Sequence, residues 1–324
     1  MKEIVVSARD AGQKAEKFVR RYLSDAPLGF IYKAFRKKDI KVNGHWIHKD
    51  YALKDGDVVR LYVTDRQLED FKHPRLAEKK PFPYAIAYED ANVLIVDKPS
   101  GLLVYGDAKE KRNTLTQKVL DYLFYKGEFD PENHAFVPSP AHRLDRNTAG
   151  LVVFAKTDAA LKALEELFKG REGISKKYWA LVDGEVKEAG LIEKPLKKNA
   201  ETGLVTVTPI GEGGKSAKTG YEPLKEFDGC TLLECVLYTG RTHQIRVHLA
   251  SIGHPILGDG KYGNYLDNRK FRSLYGLDRQ FLRAHEITFG RLEGVLSPLS
   301  GKTFLSSLDE EEEGIIGKLA KESR

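Results

Sequence analysis

The sequence has little of what holds secreted or membrane proteins together. Its 324 residues include two cysteines, Cys230 and Cys235, with four residues between them. Such a pair makes no disulfide framework, and no His or Cys stands near it at zinc-ligand spacing. Both thiols are expected as strand residues turned toward a core. No stretch approaches the roughly 18 consecutive apolar residues that a membrane span needs. The segment MKEIVVSARDAGQKAEKF has no apolar signal region, so no secretory signal is expected, and a reducing cytoplasm is the expected compartment. Internal repeats, Gly-rich phosphate loops and metal-ligand clusters are also missing from the sequence.

What is present is an uneven distribution of charge. Residues 1–66 hold 15 Lys and Arg against 9 Asp and Glu, a difference of +6, which equals the excess of the whole chain. A small basic segment ahead of a neutral body suggests a module for a polyanion. The plainer reading is a solvated basic face with no partner. The length suggests two domains, one of them large. The expected boundaries are 1–66, a linker at 67–83, a main domain at 84–308, and an acidic end at 309–324 that is either a solvated tail or a helix start.

Hydrophobic spacing predicts helices over Ala11–Leu23 and Leu28–Lys38, then a hairpin turning at Asn43-Gly44 and a strand over Val58–Val63. Beyond the linker it predicts a hairpin at Tyr84–Tyr88 and Val93–Val96 and helices over 113–126 and Asp158–Phe168. Strands are predicted at Leu151–Ala155, Tyr178–Val182, Val205–Thr208 and Thr231–Leu237, with Ile245–Leu249 strand-like or beside a strand. Strands outnumber helices and do not alternate with them one for one. The expected fold is therefore α+β, a mixed and largely antiparallel sheet with a small α/β domain ahead of it.

Three segments carry polar residues suited to chemistry. His142-Arg143-Leu144-Asp145-Arg146-Asn147-Thr148-Ala149-Gly150 leads straight into an apolar strand, as functional loops often do. Asp145 is the only carboxylate in it, with Arg143 and Arg146 at its sides. Alone, this is equally an anionic nucleophile or base and an Asx-type turn cap. Tyr238-Thr239-Gly240-Arg241-Thr242-His243-Gln244-Ile245-Arg246-Val247-His248 packs two Arg and two His together. The histidines lack helical metal-pair spacing, so no metal site is expected. Arginine beside glycine suits a phosphate or a buried carboxylate, while Gln244 and His248 equally suit a supporting role. In Ser175-Lys176-Lys177-Tyr178-Trp179-Ala180-Leu181-Val182, strand alternation puts Tyr178 and Trp179 on opposite faces. Tyr178 is then either plain core or an aromatic that stacks on a base.

Taken together and in order, HRLDRNTAGLVVFAK, SKKYWALVDG and YTGRTHQIRVHLASIGHPILGDGKYG resemble the RluA family of RNA pseudouridine synthases. DKPSG at 97–101 resembles that family's first motif, and IYKAFRKKDIKVNG places the resemblance in its RluC-like branch. The basic leading segment resembles the small RNA-binding domain of ribosomal protein S-four. The resemblance spans about residues 10–300.

It implies a pseudouridine synthase fold and an isomerase acting on structured RNA, with large-subunit rRNA favoured over tRNA, as a monomer with no cofactor, metal or membrane partner. It implies a catalytic set of Asp145, Tyr178 and Arg246, with Tyr178 against the target base and Arg246 paired in two-pronged fashion with Asp145. Arg143 would enter the RNA where the uridine leaves the stack, with His142 and Arg241 also on the RNA. Lys33, Arg36, Lys37 and Lys38 would meet phosphates, because lysines and arginines on one short helix suit the RNA backbone rather than the bases. The sequence departs from the family at Ala149, where serine is commoner, and at Asp97, where asparagine is commoner. Two other classes compete. An idle RNA-binding or ribosome-assembly factor should have lost Asp145, Tyr178 or Arg246. A glycoside hydrolase would need a second carboxylate across the scissile bond.

Overall fold

The computed structural model describes residues 1–8, 10–23, 26, 28–64, 82–107, 110, 112–131, 136–170 and 172–322. Of the expected linker, 67–81 lies outside them. Two compact units divide the chain, Met1–Pro81 with Leu123–Ala135, and Phe82–Tyr122 with Phe136–Arg324. No composition or spacing signal marks Leu123–Ala135 as grouping with the leading unit.

The first unit wraps two helices, α1 (Ala15–Tyr22) and α2 (Leu28–Arg36), onto a small antiparallel sheet. Ala15, Phe18 and Val19 lie on one face of α1, and Ile31, Ala34 and Phe35 on one face of α2, and all six are buried in one core. The strands are β1 (Lys2–Val5), β2 (Ile40–Val42), β3 (His45–Trp46) and β4 (Val58–Leu61), in the order β1-β4-β2-β3. Asn43 and Gly44 join β2 to β3 with φ of 50° and 86°. Positive φ at both central residues is what a right-twisted two-residue hairpin requires, and Asn-Gly tolerates it best.

The second unit is built on a ten-stranded sheet. Its central strands are β6 (Val93–Lys98), β8 (Ala149–Ala155), β9 (Ile174–Asp183), β14 (Cys230–Leu237) and β15 (Leu282–Phe289). Only β8 and β15 pair in parallel; the other strand pairs of this sheet are antiparallel. The mixed, largely antiparallel α+β expectation agrees with this. All seven residues of β8 are buried, consistent with a strand covered on both faces. At the β8/β15 junction Gly150 has φ 111°, and a Cβ there would sit 2.2 Å from the carbonyl oxygen of Ala284. Only glycine fits so close a backbone approach, directly after the loop that carries Asp145. Both cysteines are free and buried in β14.

One expectation needs correction, and one open alternative is decided. Ile245–Leu249 is not strand-like: it lies within helix α5 (Gln244–Ala250), where Gln244 through Leu249 are all buried. A helix covered on every side shows no amphipathic period, so β-branched Ile245 and Val247 misled the reading. The acidic end is a helix start rather than a solvated tail. It opens α7 (Glu310–Glu322), whose Ile315 and Leu319 pack into a core with Leu181, Leu232 and Phe271. Asp309 and Glu312 pair with the buried Arg283 of β15. Four glutamates in the first turn also suit the positive end of the helix dipole. Leu319→Ala is therefore expected to lower unfolding free energy by about 2–3 kcal/mol, the usual cost of emptying a core leucine site. Denaturant titration checks this, since a residue of a solvated tail would change stability by at most about 0.5 kcal/mol.

Candidate active site

The loop between β7 (Ser139–Pro140) and β8 is pinned from behind before it presents any polar group. Leu144 is buried. The ammonium of fully buried Lys98 donates to the carbonyls of Pro99, Leu102 and Arg146 at 2.9, 2.8 and 3.0 Å. Ser100 Oγ donates to the Asn147 carbonyl, and Gln280 Nε2 to Thr148 Oγ1. Burial pushes Lys98 down to about 7, while the charge of Asp145 opposes the shift. Three carbonyl acceptors match the three donors of an ammonium group. Thr148 N donates to the Asp145 carbonyl at 3.1 Å, so the loop turns here through its backbone.

The Asp145 side chain caps no backbone group in that turn. Its Oδ2 accepts from Arg246 Nη1 at 2.9 Å, and His243 Nε2 stands 3.8 Å away. The turn-cap alternative is thereby displaced by geometry. Arg246 comes from the first turn of α5. Its two-pronged partner is Asp259, not Asp145: Nε and Nη2 meet Oδ2 and Oδ1 of Asp259 at 2.7 and 2.8 Å. Arg246 thus holds Asp145 with its one remaining nitrogen, and its guanidinium lies over the Tyr262 ring at 5.1 Å.

Magnitudes explain why two carboxylates share one arginine. At an effective dielectric near 20, unit charges about 3 Å apart attract by roughly 5–6 kcal/mol. Desolvation costs several kcal/mol per buried ion, so one pair does little more than break even. The Asp259 side chain is completely buried, while Asp145 keeps 21% exposure. Asp259 neutralises the arginine, and Asp145 adds a charge at the solvent side that needs less compensation. Burial works against the charge on Arg246, but the bonds and charges of Asp259 and Asp145 more than offset it and raise its pKa. For Asp259, burial acts upward, yet the Arg246 bonds and charge, with the N–H groups of Lys261 and Tyr262, hold it below the ordinary carboxylate value.

His243 has φ 53° and its Nδ1 lies 2.7 Å from the Tyr262 hydroxyl. Burial lowers its pKa and Arg246 adds to this, against the pull of Asp145, so the site favours the neutral imidazole. Across the site, Tyr178 of β9 pairs with Cys235 and Ala284 on the neighbouring strands. Its ring lines the cavity, and its hydroxyl bonds to none of the described residues. Burial first and the charge of Asp145 second push this phenol above its ordinary range, so it stays protonated. The alternation expected in the strand is realised: Trp179, on the other face, stacks on His285 at 3.5 Å.

Asp145, Tyr178, Arg246, Arg143, Arg241 and His142 all line one cavity of about 410 Å³. That lies within the roughly 300–1,000 Å³ of ordinary small-ligand pockets. Arg143 is exposed at the mouth, with no hydrogen bond or ion pair among the described residues. Arg241 Nε donates to the Ser216 carbonyl at 3.0 Å. His142 is less available: its Nε2 accepts from Val153 N at 3.1 Å, its ring packs on Phe168, and burial holds its pKa down to about 3. Gln244 and His248 are supports. Gln244 takes hydrogen bonds from Thr239 and Arg241 and gives them to Lys218 and Thr219, while His248 reaches Thr219 and Lys194.

Sequence reasoning missed Asp259, Tyr262 and Lys98 as parts of the site. All three stood inside quoted motifs, HPILGDGKYG and DKPSG, but no spacing rule points from them to Asp145. Among the described residues no cluster of His, Cys, Asp or Glu is suited to a metal ion.

Comparison with known proteins follows the same lines. A family model described as RNA pseudouridylate synthase matches residues 92–251. The chain is 36% identical over 286 residues to a ribosomal large subunit pseudouridine synthase C of Vibrio parahaemolyticus, covering 86% of this chain and 85% of that one. It is 33% identical over 294 residues to the protein of the same name in Escherichia coli, covering 89% and 88%. Among solved structures it is similar to human RNA Pseudouridylate Synthase Domain Containing 4. The TM-score is 0.58 at 23% identity, over 73% of this chain and 93% of that chain. Human RNA Pseudouridylate Synthase Domain Containing 1 gives a TM-score of 0.51 at 24% identity, over 74% and 98%.

Proposed function

The chain belongs to the RluA family of RNA pseudouridine synthases, in its RluC-like branch, and from that premise we propose that it isomerises uridines of large-subunit rRNA in the cytoplasm, with Asp145 as the residue that acts at the sugar. The relatives named for the large ribosomal subunit support this choice over tRNA. The observation that carries the chemical assignment is the Asp145–Arg246 contact of 2.9 Å, set in a cavity beside the ring of Tyr178.

The reaction breaks the bond from ribose carbon 1′ to base nitrogen 1 and forms one to carbon 5. Carbon 5 gives up a proton and nitrogen 1 gains one, so the net change is an isomerisation. The uridine must first leave its stack, at a cost of a few kcal/mol. Arg143, exposed at the cavity mouth, fills the gap it leaves. The base enters against Tyr178, whose face holds the detached uracil while it turns. The carboxylate of Asp145 acts on the ribose, and Arg246 fixes its position and offsets its desolvation. His142 acts indirectly, by holding the Asp145 loop against β8. Arg241 lines the cavity wall with its terminal nitrogens available to phosphate. In the leading unit, Lys33, Arg36, Lys37 and Lys38 are exposed at the end of α2, which supports their role as phosphate contacts in an S-four-like module.

A pseudouridine map of total RNA from cells with and without the gene tests the proposal. One or a few large-subunit rRNA positions are expected to revert to uridine in the deletion and to return on complementation. Loss confined to tRNA would transfer the substrate assignment. An unchanged map would leave the idle RNA-binding factor as the better account.

A further inference from the structure

The small unit carries a second surface that the site chemistry does not use. Register fixes its composition. Across the sheet, Glu3 faces Arg60, Arg60 faces Lys41, and Lys41 faces Trp46. Directly opposed residues lie on one face. The other face carries Ile40, Val42, Val59 and Leu61, all buried under the helices, so the Lys41–Trp46 row faces solvent. Tyr62, two residues beyond Arg60 and next to Asp39, belongs to the same outward set. Trp46 and Tyr62 are 50% and 42% exposed, unusually open for large aromatics on a sheet.

Each of these rings is matched with an ammonium. Lys38 Nζ lies 4.8 Å from the Trp46 centroid, and Lys41 Nζ 4.9 Å from that of Tyr62. Lys38 has φ 62°, the left-handed turn that ends α2 and sends its side chain across β3 rather than along the helix. Lys38 and Lys41 have no acidic partner among the described residues, whereas Arg60 is committed to Glu3 at 2.6 Å. A docked protein would want a continuous apolar patch. Two separated rings, each beside an unpaired cation, instead match the alternation of flat base and phosphate along an unpaired RNA strand.

We propose that the solvent face of this sheet binds an unpaired nucleotide of the RNA substrate, with the base stacked on Trp46 and the flanking phosphates on Lys38 and Lys41. The assignment rests on the chain acting on RNA. It shares Lys38 with the phosphate contacts given to the end of α2 and adds to them a base on Trp46 and a phosphate on Lys41. Stacking makes the face selective for single-stranded segments over duplex, so it would recognise a loop or junction of the RNA substrate.

The test uses the full chain and an rRNA fragment that it modifies. Trp46→Ala is expected to raise Kd and KM together by roughly five- to 150-fold, the range that base–aromatic stacking supports, with kcat within about twofold. Trp46→Phe should recover most of the loss. The chain has two tryptophans, so fluorescence gives a second arm. RNA should quench wild-type emission, and in Trp46→Phe, where Trp179 remains, the quench should vanish. Unchanged Kd in Trp46→Ala, or a quench that survives in Trp46→Phe, overturns the proposal. If Trp46→Ala fails to fold, the fluorescence arm decides. A wild-type protein that modifies no RNA at all would instead overturn the functional reading above, while Kd still reports on this face.

Discussion

Asp145→Asn is expected to abolish pseudouridine formation, by at least about 10⁴-fold, while RNA affinity and fold stay close to wild type. The size follows from what single catalytic residues cost when removed from an otherwise intact site. The rest follows from the geometry. The substituted amide has the shape of the carboxylate, and its oxygen still accepts from Arg246 Nη1. Arg246 keeps both bonds to Asp259, so the variant leaves no buried charge without a partner. Stability should therefore move by less than about 1 kcal/mol. Pseudouridine content of the rRNA fragment, measured beside its dissociation constant, separates the outcomes. Turnover in the variant within tenfold of wild type would remove Asp145 from the chemistry. Uracil released in place of pseudouridine by the wild type would point to a hydrolase.

The sheet order was not legible in the sequence, but the fold class was, because strands outnumbered helices without alternating with them. The site was half legible. Asp145 alone stood equally for a turn cap and a catalytic group, and the three ordered motifs, not the local residues, tipped the balance. Tyr178 could be placed on a face by period-two alternation, but nothing in that alternation said the face was a cavity wall. Arg246 was expected beside Asp145 and lies there, but its pairing was read incompletely. Sequence spacing cannot show that a carboxylate thirteen residues on, past α5 and a turn at Gly258, folds back to take two of its nitrogens. The same blindness affected α5, where complete burial erased the periodicity that marks a surface helix. Lys98 was hidden for a related reason: its acceptors are backbone carbonyls, and carbonyls leave no trace in a sequence. The acidic run at 309–313 stood open between a solvated tail and a helix start because its cationic partner, Arg283, lies on a distant strand.

Asp259 is the residue whose removal should most damage the protein as a whole. In Asp259→Ala the buried guanidinium of Arg246 loses two of its three bonds and keeps its desolvation cost. Removing one partner of a buried pair costs about 3–5 kcal/mol. The N–H groups of Lys261 and Tyr262, which donate to Oδ1, lose their acceptor as well. Activity should fall even at temperatures where the variant is folded, because Arg246 is then free to swing off Asp145. Asp259→Asn separates these effects, since it retains an acceptor of the same shape but not the charge. It should be destabilised less than Asp259→Ala, and its acid limb should be flatter. The sign follows from Asp259 being held below its ordinary value of 3.8 in the fold. Its stabilising contribution is complete above that value and is lost as pH falls through the lower folded value. Unfolding free energy of the wild type should therefore decline below about pH 4 more steeply than that of Asp259→Asn. Parallel curves would mean that another carboxylate governs the acid limb. An Asp259→Ala protein of wild-type stability would mean that the arginine finds compensation elsewhere, and that Asp259 does not anchor the site.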